Sequence, residues 1–198
     1  MWQPEHPGYS VPTGPDLSGP MGLLQSISEY GGSQMSTIKE TVEVDVPVHT
    51  AYNQWTQFEE FPNFMEGVEE VRQLDDRHNH WTTKIGGVRR EFDTEIVDQL
   101  ADERVTWRTT SGDTHQRGSV RFERLDDTHT RVELVMDVEP SGAVEKAADM
   151  MGTIDRRVKG DMKRFKQYIE ERGVESGAWR GRVDPGGPGG TGGAGPIL

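Results

Sequence analysis

Near Ser141 the chain changes its hydrophobic period, and this change constrains the fold more than any other feature. From Ser141 to Gly173 the apolar residues recur every three or four positions, which predicts one amphipathic helix of nearly 30 residues. Before Ser141 the apolar residues alternate with polar ones, as in half-buried strands. Because a sheet with one apolar face and a helix with one apolar stripe must cover each other, we expect an α+β fold.

Seven strands are predicted before this helix. The first runs from Ile38 to Val46, and a helical segment separates it from the others. The other six are joined by short turns rich in Gly and Asp, so consecutive strands are expected to pair as antiparallel hairpins. Their predicted ranges are 68–74, 80–85, 88–100, 104–110, 116–125 and 130–138.

The segment between the first two strands is unusually aromatic for an acidic, polar chain. Pro62 disfavours helix at Phe61, so we expect two short helical pieces separated by a bend. We predict that the bend forms the mouth of an apolar chamber, with Phe58, Phe61 and Phe64 near the opening. An alternative stays open, in which these rings fill the core completely. The segment contains Tyr52, Trp55, Phe58, Phe61, Phe64 and Met65.

Composition divides the chain into three parts. Residues 1–35 are punctuated by Pro and Gly and are predicted to be a disordered tail. Residues 36–173 form the predicted folded domain. Residues 174–198 contain nine Gly and are predicted to be a second disordered tail. A protein partner could dock on either tail, through residues 21–30 or through the final Pro-Ile-Leu.

Charge and composition exclude several classes of function. The formal net charge is −12, and residues 36–173 alone carry 20 basic against 29 acidic side chains, so we expect no nucleic-acid partner. The chain has no cysteine, which excludes disulfides and thiolate chemistry. No apolar run is long enough for a membrane span, and the first residues lack a secretory pattern. A cytoplasmic location is therefore predicted.

The order of these elements, together with several short motifs, resembles the START/Bet v 1-like (SRPBCC) superfamily. Within it, the chain resembles the polyketide cyclase/dehydrase and coenzyme Q-binding group. The resemblance covers residues 36–173 and neither tail. It implies a helix-grip fold, in which a curved antiparallel sheet wraps the long C-terminal helix. The matching motifs are residues 44–48, 58–64, Trp81, 90–92, 105–107, 118–122, 130–132 and the long helix.

The resemblance also implies an elongated apolar cavity between sheet and helix. The function we predict is binding or transport of a hydrophobic small molecule, such as a polyketide, quinone or lipid. We expect no cofactor. The residues predicted to line the cavity are Trp55, Phe58, Phe61, Phe64, Trp81, Arg90, Phe92, Thr94, Trp107, Phe122, Met136, Met151, Ile154 and Val158.

A polyketide cyclase/dehydrase enzyme is the main alternative. Aromatase/cyclases of the superfamily carry a cavity arginine and tyrosine, and those positions align here with Ile96 and Val68. Neither side chain can carry a charge or move a proton, so we assign no catalytic residue and leave catalysis open. If the chain is an enzyme, Arg90, Thr94 or Glu91 would have to substitute for the missing groups.

Two polar residues on the fourth predicted strand are candidates for contacting a ligand. Arg90 and Thr94 share a face with Phe92 and Ile96, so they could hold a carbonyl, carboxylate or hydroxyl group of a ligand. The competing interpretation places Arg90 at the rim, paired with a surface carboxylate.

The histidines give a weaker signal. His78 and His80 lie two positions apart on a strand, so both side chains share one face and a metal site is conceivable. The adjacent acidic turn at residues 75–77 favours a solvated hairpin end instead. We therefore predict no metal site.

Overall fold

The computed structural model describes residues 36–139 and 144–186, with side chains placed for residues 36–139 and 150–186. One antiparallel sheet contains all seven predicted strands, and a long C-terminal helix follows it, which confirms the α+β prediction. The strands are β1 (Ser36–Val44), β2 (Val68–Gln73), β3 (His78–Ile85), β4 (Val88–Leu100), β5 (Arg104–Gly112), β6 (Gln116–Arg124) and β7 (Thr130–Val138). Their order across the sheet is β1-β7-β6-β5-β4-β3-β2.

The sheet is assembled by hairpins from β2 to β7, and β1 joins by pairing with β7. The β1 to β7 pairing runs over the full length of both strands, from Ser36 opposite Val138 to Val44 opposite Thr130. In the first part of β7, Thr130, Val132 and Leu134 are buried while the residues between them are half-buried, as expected for a strand with one face toward the core. The sequence alternation therefore sets the register.

The aromatic segment forms two short helical pieces, as predicted. They are α1 (Val48–Trp55) and a 3₁₀ helix (Phe58–Asn63). The break between them lies at Thr56 and Gln57, where the Thr56 hydroxyl donates to the backbone oxygen of Asn53 at 2.7 Å. Pro62 sits inside the 3₁₀ helix and does not cause this break.

The long helix α2 (Val144–Arg172) contributes Met162, Phe165 and Ile169 to the buried core. Phe165 is fully buried, and its ring lies 5.0 Å from the ring of Trp55. The chain leaves the helix at Gly173, whose φ of 66° favours glycine. Among the described residues, no helix has the length and apolarity needed to cross a membrane.

Residues 174–186 differ from the expectation of a flexible tail. The Ser176 backbone N–H donates to the Gln54 side chain at 2.9 Å, and Val183 is buried and paired with Gln99 in a short β-bridge. Arg180 donates to both carboxylate oxygens of Asp102, at 2.9 and 2.6 Å. The prediction of a disordered tail rested on glycine content and gave no weight to the side chains that make these contacts.

Residues 1–35 and 187–198, with their predicted docking roles, lie outside the described residues.

Candidate functional site

A cavity of about 590 Å³ lies between the inner face of the sheet and α2. Its lining is mostly apolar and comes from α1, the 3₁₀ helix, the strands and α2. The apolar lining residues are Trp55, Phe58, Phe61, Met65, Val68, Trp81, Ile85, Phe92, Ile96, Trp107, Leu134, Met136, Met150, Ile154, Val158 and Met162.

Strands β3 and β4 build one wall of the cavity through their alternation. Phe92, Thr94 and Ile96 on β4 are buried and face the cavity, as predicted from sequence. On β3, Trp81 pairs in register with Phe92, and the two rings stack with centroids 5.9 Å apart and planes 4° apart. This stack makes a flat aromatic surface, against which a planar apolar ligand can pack.

The aromatic segment forms the closed end of the cavity and not its mouth. Phe58 and Phe61 line the cavity but are only 6% and 3% exposed. Phe64 is 2% exposed and lies behind the lining, packed on Phe165 at 5.3 Å. The prediction that Phe58, Phe61 and Phe64 lie near an opening is therefore wrong, because these rings pack on one another, with centroids 5.4 and 5.1 Å apart, and are almost fully buried. The exposed lining residues, which mark the rim, are Glu66, Asp113, His115 and Thr153.

Threonines and an asparagine interrupt the apolar wall. The Trp81 indole N–H donates to the Thr94 hydroxyl oxygen at 2.9 Å, and the Thr83 hydroxyl donates to the Arg90 backbone oxygen at 3.4 Å. Two buried oxygens lack a hydrogen-bond partner among the described residues, namely Oδ1 of Asn79 and Oγ1 of Thr114. Both residues line the cavity.

Arg90 is half-buried on the cavity wall. Its neighbour Arg89 pairs with the exposed carboxylate of Glu91 at 3.0 Å, whereas Arg90 forms no ion pair with any residue in the described part of the chain. The expected pairing of Arg90 with a surface carboxylate is thus not found there. The side chain of Glu91 is about half exposed and does not line the cavity, so Glu91 is unsuited to act on a cavity ligand.

Charged side chains of α2 bind the backbone of Glu66, one of the rim residues. The carboxylate of Asp161 accepts the Glu66 backbone N–H at 2.8 Å, and Arg157 donates to the Glu66 backbone oxygen at 2.7 Å. Asp161 also contacts Arg164. Burial raises the pKa of Asp161 above its ordinary value, although these hydrogen bonds oppose the rise. Gly67 follows at φ 79°, and a side chain there would meet Arg157.

Most of the predicted lining residues meet at this cavity. Phe64, Phe122 and Met151 do not line it: Phe122 packs its ring 5.5 Å from that of Tyr52, and Met151 is half-buried beside the core. The sequence reasoning missed Asn79 and Thr114. Asn79 was detectable, because it lies two positions before Trp81 and so shares its inward face. The predicted residues that lie around the cavity are Trp55, Phe58, Phe61, Trp81, Arg90, Phe92, Thr94, Trp107, Met136, Ile154 and Val158.

The two neighbouring histidines lie off the cavity lining. His78 contacts Asp75 at 2.9 Å, and Nδ1 of His80 lies 2.7 Å from Asp93. Within the described ranges, no group of three or more His, Asp or Glu side chains is arranged to hold a metal ion.

The architecture, a seven-stranded antiparallel sheet covering one long helix over an apolar cavity, defines the helix-grip class. The family described as "Polyketide cyclase / dehydrase and lipid transport" matches residues 44–167. Since this match spans more than half of the sequence, the chain belongs to that family.

Individual proteins resemble the chain in sequence or in fold. The chain is 56% identical over 149 residues to an uncharacterized 17.2 kDa protein from the melC2-rnhH intergenic region of Streptomyces lincolnensis, which covers 75% of this chain and 99% of that protein. Among solved structures, it resembles the Zhui aromatase/cyclase from Streptomyces sp. R1128, with a TM-score of 0.62 and 16% identity over 74% of this chain and 100% of that one. A START superfamily protein from Mycobacterium smegmatis aligns with a TM-score of 0.55 and 16% identity, covering 70% and 97%. At these identities the solved structures show a shared fold.

Proposed function

We propose that the protein binds a hydrophobic small molecule, such as a polyketide, quinone or lipid, in this cavity as a carrier or sequestering protein. The observation that supports this function is an apolar cavity of about 590 Å³, which is within the size range of small-molecule pockets. Burying roughly 300 Å² of apolar ligand surface would contribute about 7 kcal/mol before association costs. This is enough for useful affinity after those costs.

The absence of proton-transfer groups at two wall positions favours a carrier over an enzyme. Ile96 and Val68 both line the cavity, and they align with the arginine and tyrosine that the resemblance assigns to aromatase/cyclases. Ile96 is 2% exposed, so a charge at its position would be deeply buried. Apolar side chains there suit binding of an unreacted ligand.

Native mass spectrometry of the protein purified from its own host tests the proposal. We expect a mass increment from an apolar molecule, which organic extraction removes. Ile154→Trp should fill part of the cavity and abolish the increment, because Ile154 lines the cavity from α2. Leu74→Trp is the matched control, since Leu74 is 58% exposed and lies off the cavity. Equal ligand retention in both variants would contradict binding in this cavity.

An aromatase/cyclase activity is the second candidate. It is favoured by Arg90, a half-buried cation on the cavity wall, and by the fold shared with the Zhui aromatase/cyclase. In that case Arg90 would polarise a ligand carbonyl and Thr94 would hold it. Cyclisation of a poly-β-ketone in vitro, compared among wild type, Arg90→Ala and Thr94→Ala, tests this activity. Unchanged product formation in both variants would rule out these roles.

A further inference from the structure

The Asn79 amide oxygen is a buried acceptor that has no hydrogen-bond partner among the described residues. The residue is 1% exposed, it lines the cavity, and its amide oxygen accepts no hydrogen bond from any described residue. Leaving a buried acceptor unpaired is costly, and native structures contain few such groups. An amide oxygen can only accept, and in this orientation the Asn79 oxygen meets no donor among the described residues.

Asn79 faces Thr94 directly across the β3–β4 pairing. Side chains that are opposite each other in an antiparallel pair have Cβ atoms about 5 Å apart. The Thr94 oxygen already accepts the Trp81 indole N–H, and its own hydroxyl hydrogen has no acceptor among the described residues. The pair therefore offers one free acceptor, on Asn79, and one free donor, on Thr94, at neighbouring positions of an apolar wall.

We propose, on the basis of the carrier function above, that Asn79 and Thr94 select a hydrophobic ligand bearing a hydroxyl group. A single hydroxyl donates to the Asn79 amide oxygen and accepts from Thr94, which satisfies both residues. A ketone, quinone, ester or ether has only acceptors, so it leaves the Asn79 oxygen unpaired. The ligand class is thus a phenol, quinol or alcohol on an apolar skeleton.

Calorimetric titration with 2-naphthol and 2-methoxynaphthalene tests this selectivity, because the two probes share a ring system and the ether lacks the donor. We expect wild type to bind 2-naphthol more tightly despite the greater hydrophobicity of the ether. In Asn79→Leu, the ratio of the two dissociation constants should shift about tenfold toward the ether, the size expected for one buried hydrogen bond. Asn79→Ala removes the amide without adding volume and is used if Asn79→Leu does not fold.

Thr82→Val is the matched control. Thr82 also lies on β3 and is 3% exposed, but it is not among the cavity-lining residues, so its replacement should leave the ratio unchanged. If both probes bind and the ratio is the same in wild type and the Asn79 variants, the hydroxyl selectivity is refuted and the carrier function stands. If neither probe binds wild type, both this selectivity and binding of apolar molecules by the cavity are contradicted.

Discussion

The Trp107 indole lies directly over Gly118, its register partner on the neighbouring strand. A Cβ atom added at residue 118 would lie 2.6 Å from Cζ2 of Trp107 and 2.9 Å from the backbone oxygen of Val135. Because Trp107 lines the cavity, the missing side chain at residue 118 lets this ring lie back against the sheet. The volume available to a ligand therefore depends on a glycine.

Gly118→Ala should destabilise the protein and narrow the cavity. Since the neighbouring backbone oxygen cannot move freely, the Trp107 ring must turn inward, and we expect a loss of about 1–3 kcal/mol in the free energy of unfolding. Urea denaturation gives this value, and titration with 2-naphthol should show weaker binding. Gly152→Ala is the control, because apart from the backbone of its own helix no described atom lies within 4 Å of its added Cβ, and it should stabilise the helix by up to about 1 kcal/mol. A stable Gly118→Ala variant with full affinity would contradict the close contact.

Replacing Asn79 with leucine should make the ligand-free protein more stable. The wild-type amide oxygen is buried and has no partner in the described part of the chain, and an apolar side chain of similar size removes this cost, so we expect a gain of roughly 1 kcal/mol. Thermal and urea unfolding of ligand-stripped protein measure the difference. A loss of stability would show that the folded chain itself satisfies the amide.

Truncation after Gly173 should lower stability, whereas truncation after Gly186 should not. The first variant removes the buried side chain of Val183 and the ion pair of Arg180 with Asp102. We expect a decrease of roughly 2 kcal/mol, the value of burying one aliphatic side chain. The second variant removes only the predicted flexible end, so the two melting curves separate the contributions. Identical curves would show that residues 174–186 add nothing to the fold.

The stability contributed by the turn between β6 and β7 should depend on pH, because Asp126 and His129 in that turn form a hydrogen bond to each other. The backbone N–H of Thr128 and then the His129 side chain lower the pKa of Asp126 to about 2. The hydrogen bond to Asp126 raises the pKa of His129 above its ordinary value of 6.5. The contribution of His129 to stability is therefore fully present below pH 6.5. It is lost as the pH rises through the raised pKa that His129 has in the folded protein. The carboxylate contribution is present above pH 3.8 and is lost as the pH falls toward 2.

NMR titration of the His129 ring protons measures this shift. In Asp126→Asn the pKa of His129 should return toward 6.5, because the amide still accepts the Thr128 N–H but no longer carries a charge. A wild-type value at or below 6.5 would contradict the contact.

The sequence predicted the fold and much of the cavity because both depend on periodicity. Alternation along β4 predicted Phe92, Thr94 and Ile96 on one face, and all three are buried and lie on the cavity wall. Periodicity does not say whether an inward side chain meets open space or another ring, which is why Phe64 and Phe122 were predicted as lining residues. The order of residues 174–186 depends on long-range contacts such as that of Arg180 with Asp102, which no local pattern reports.

The pairing of β4 with β5 is irregular between Ile96 and Asp98, where one extra residue is accommodated. Ahead of this bulge the even-numbered residues face inward, and after it Gln99 is buried and donates to the Tyr52 hydroxyl at 2.9 Å, while Asp98 pairs with Arg104. The inward-facing residues of β4 are thus even-numbered before the bulge and odd-numbered after it. Without the extra residue at Val97, the even-numbered pattern would turn the carboxylate of Asp98 into the core and Gln99 toward solvent, so the bulge keeps a charge out of the core and the Gln99 amide inside it.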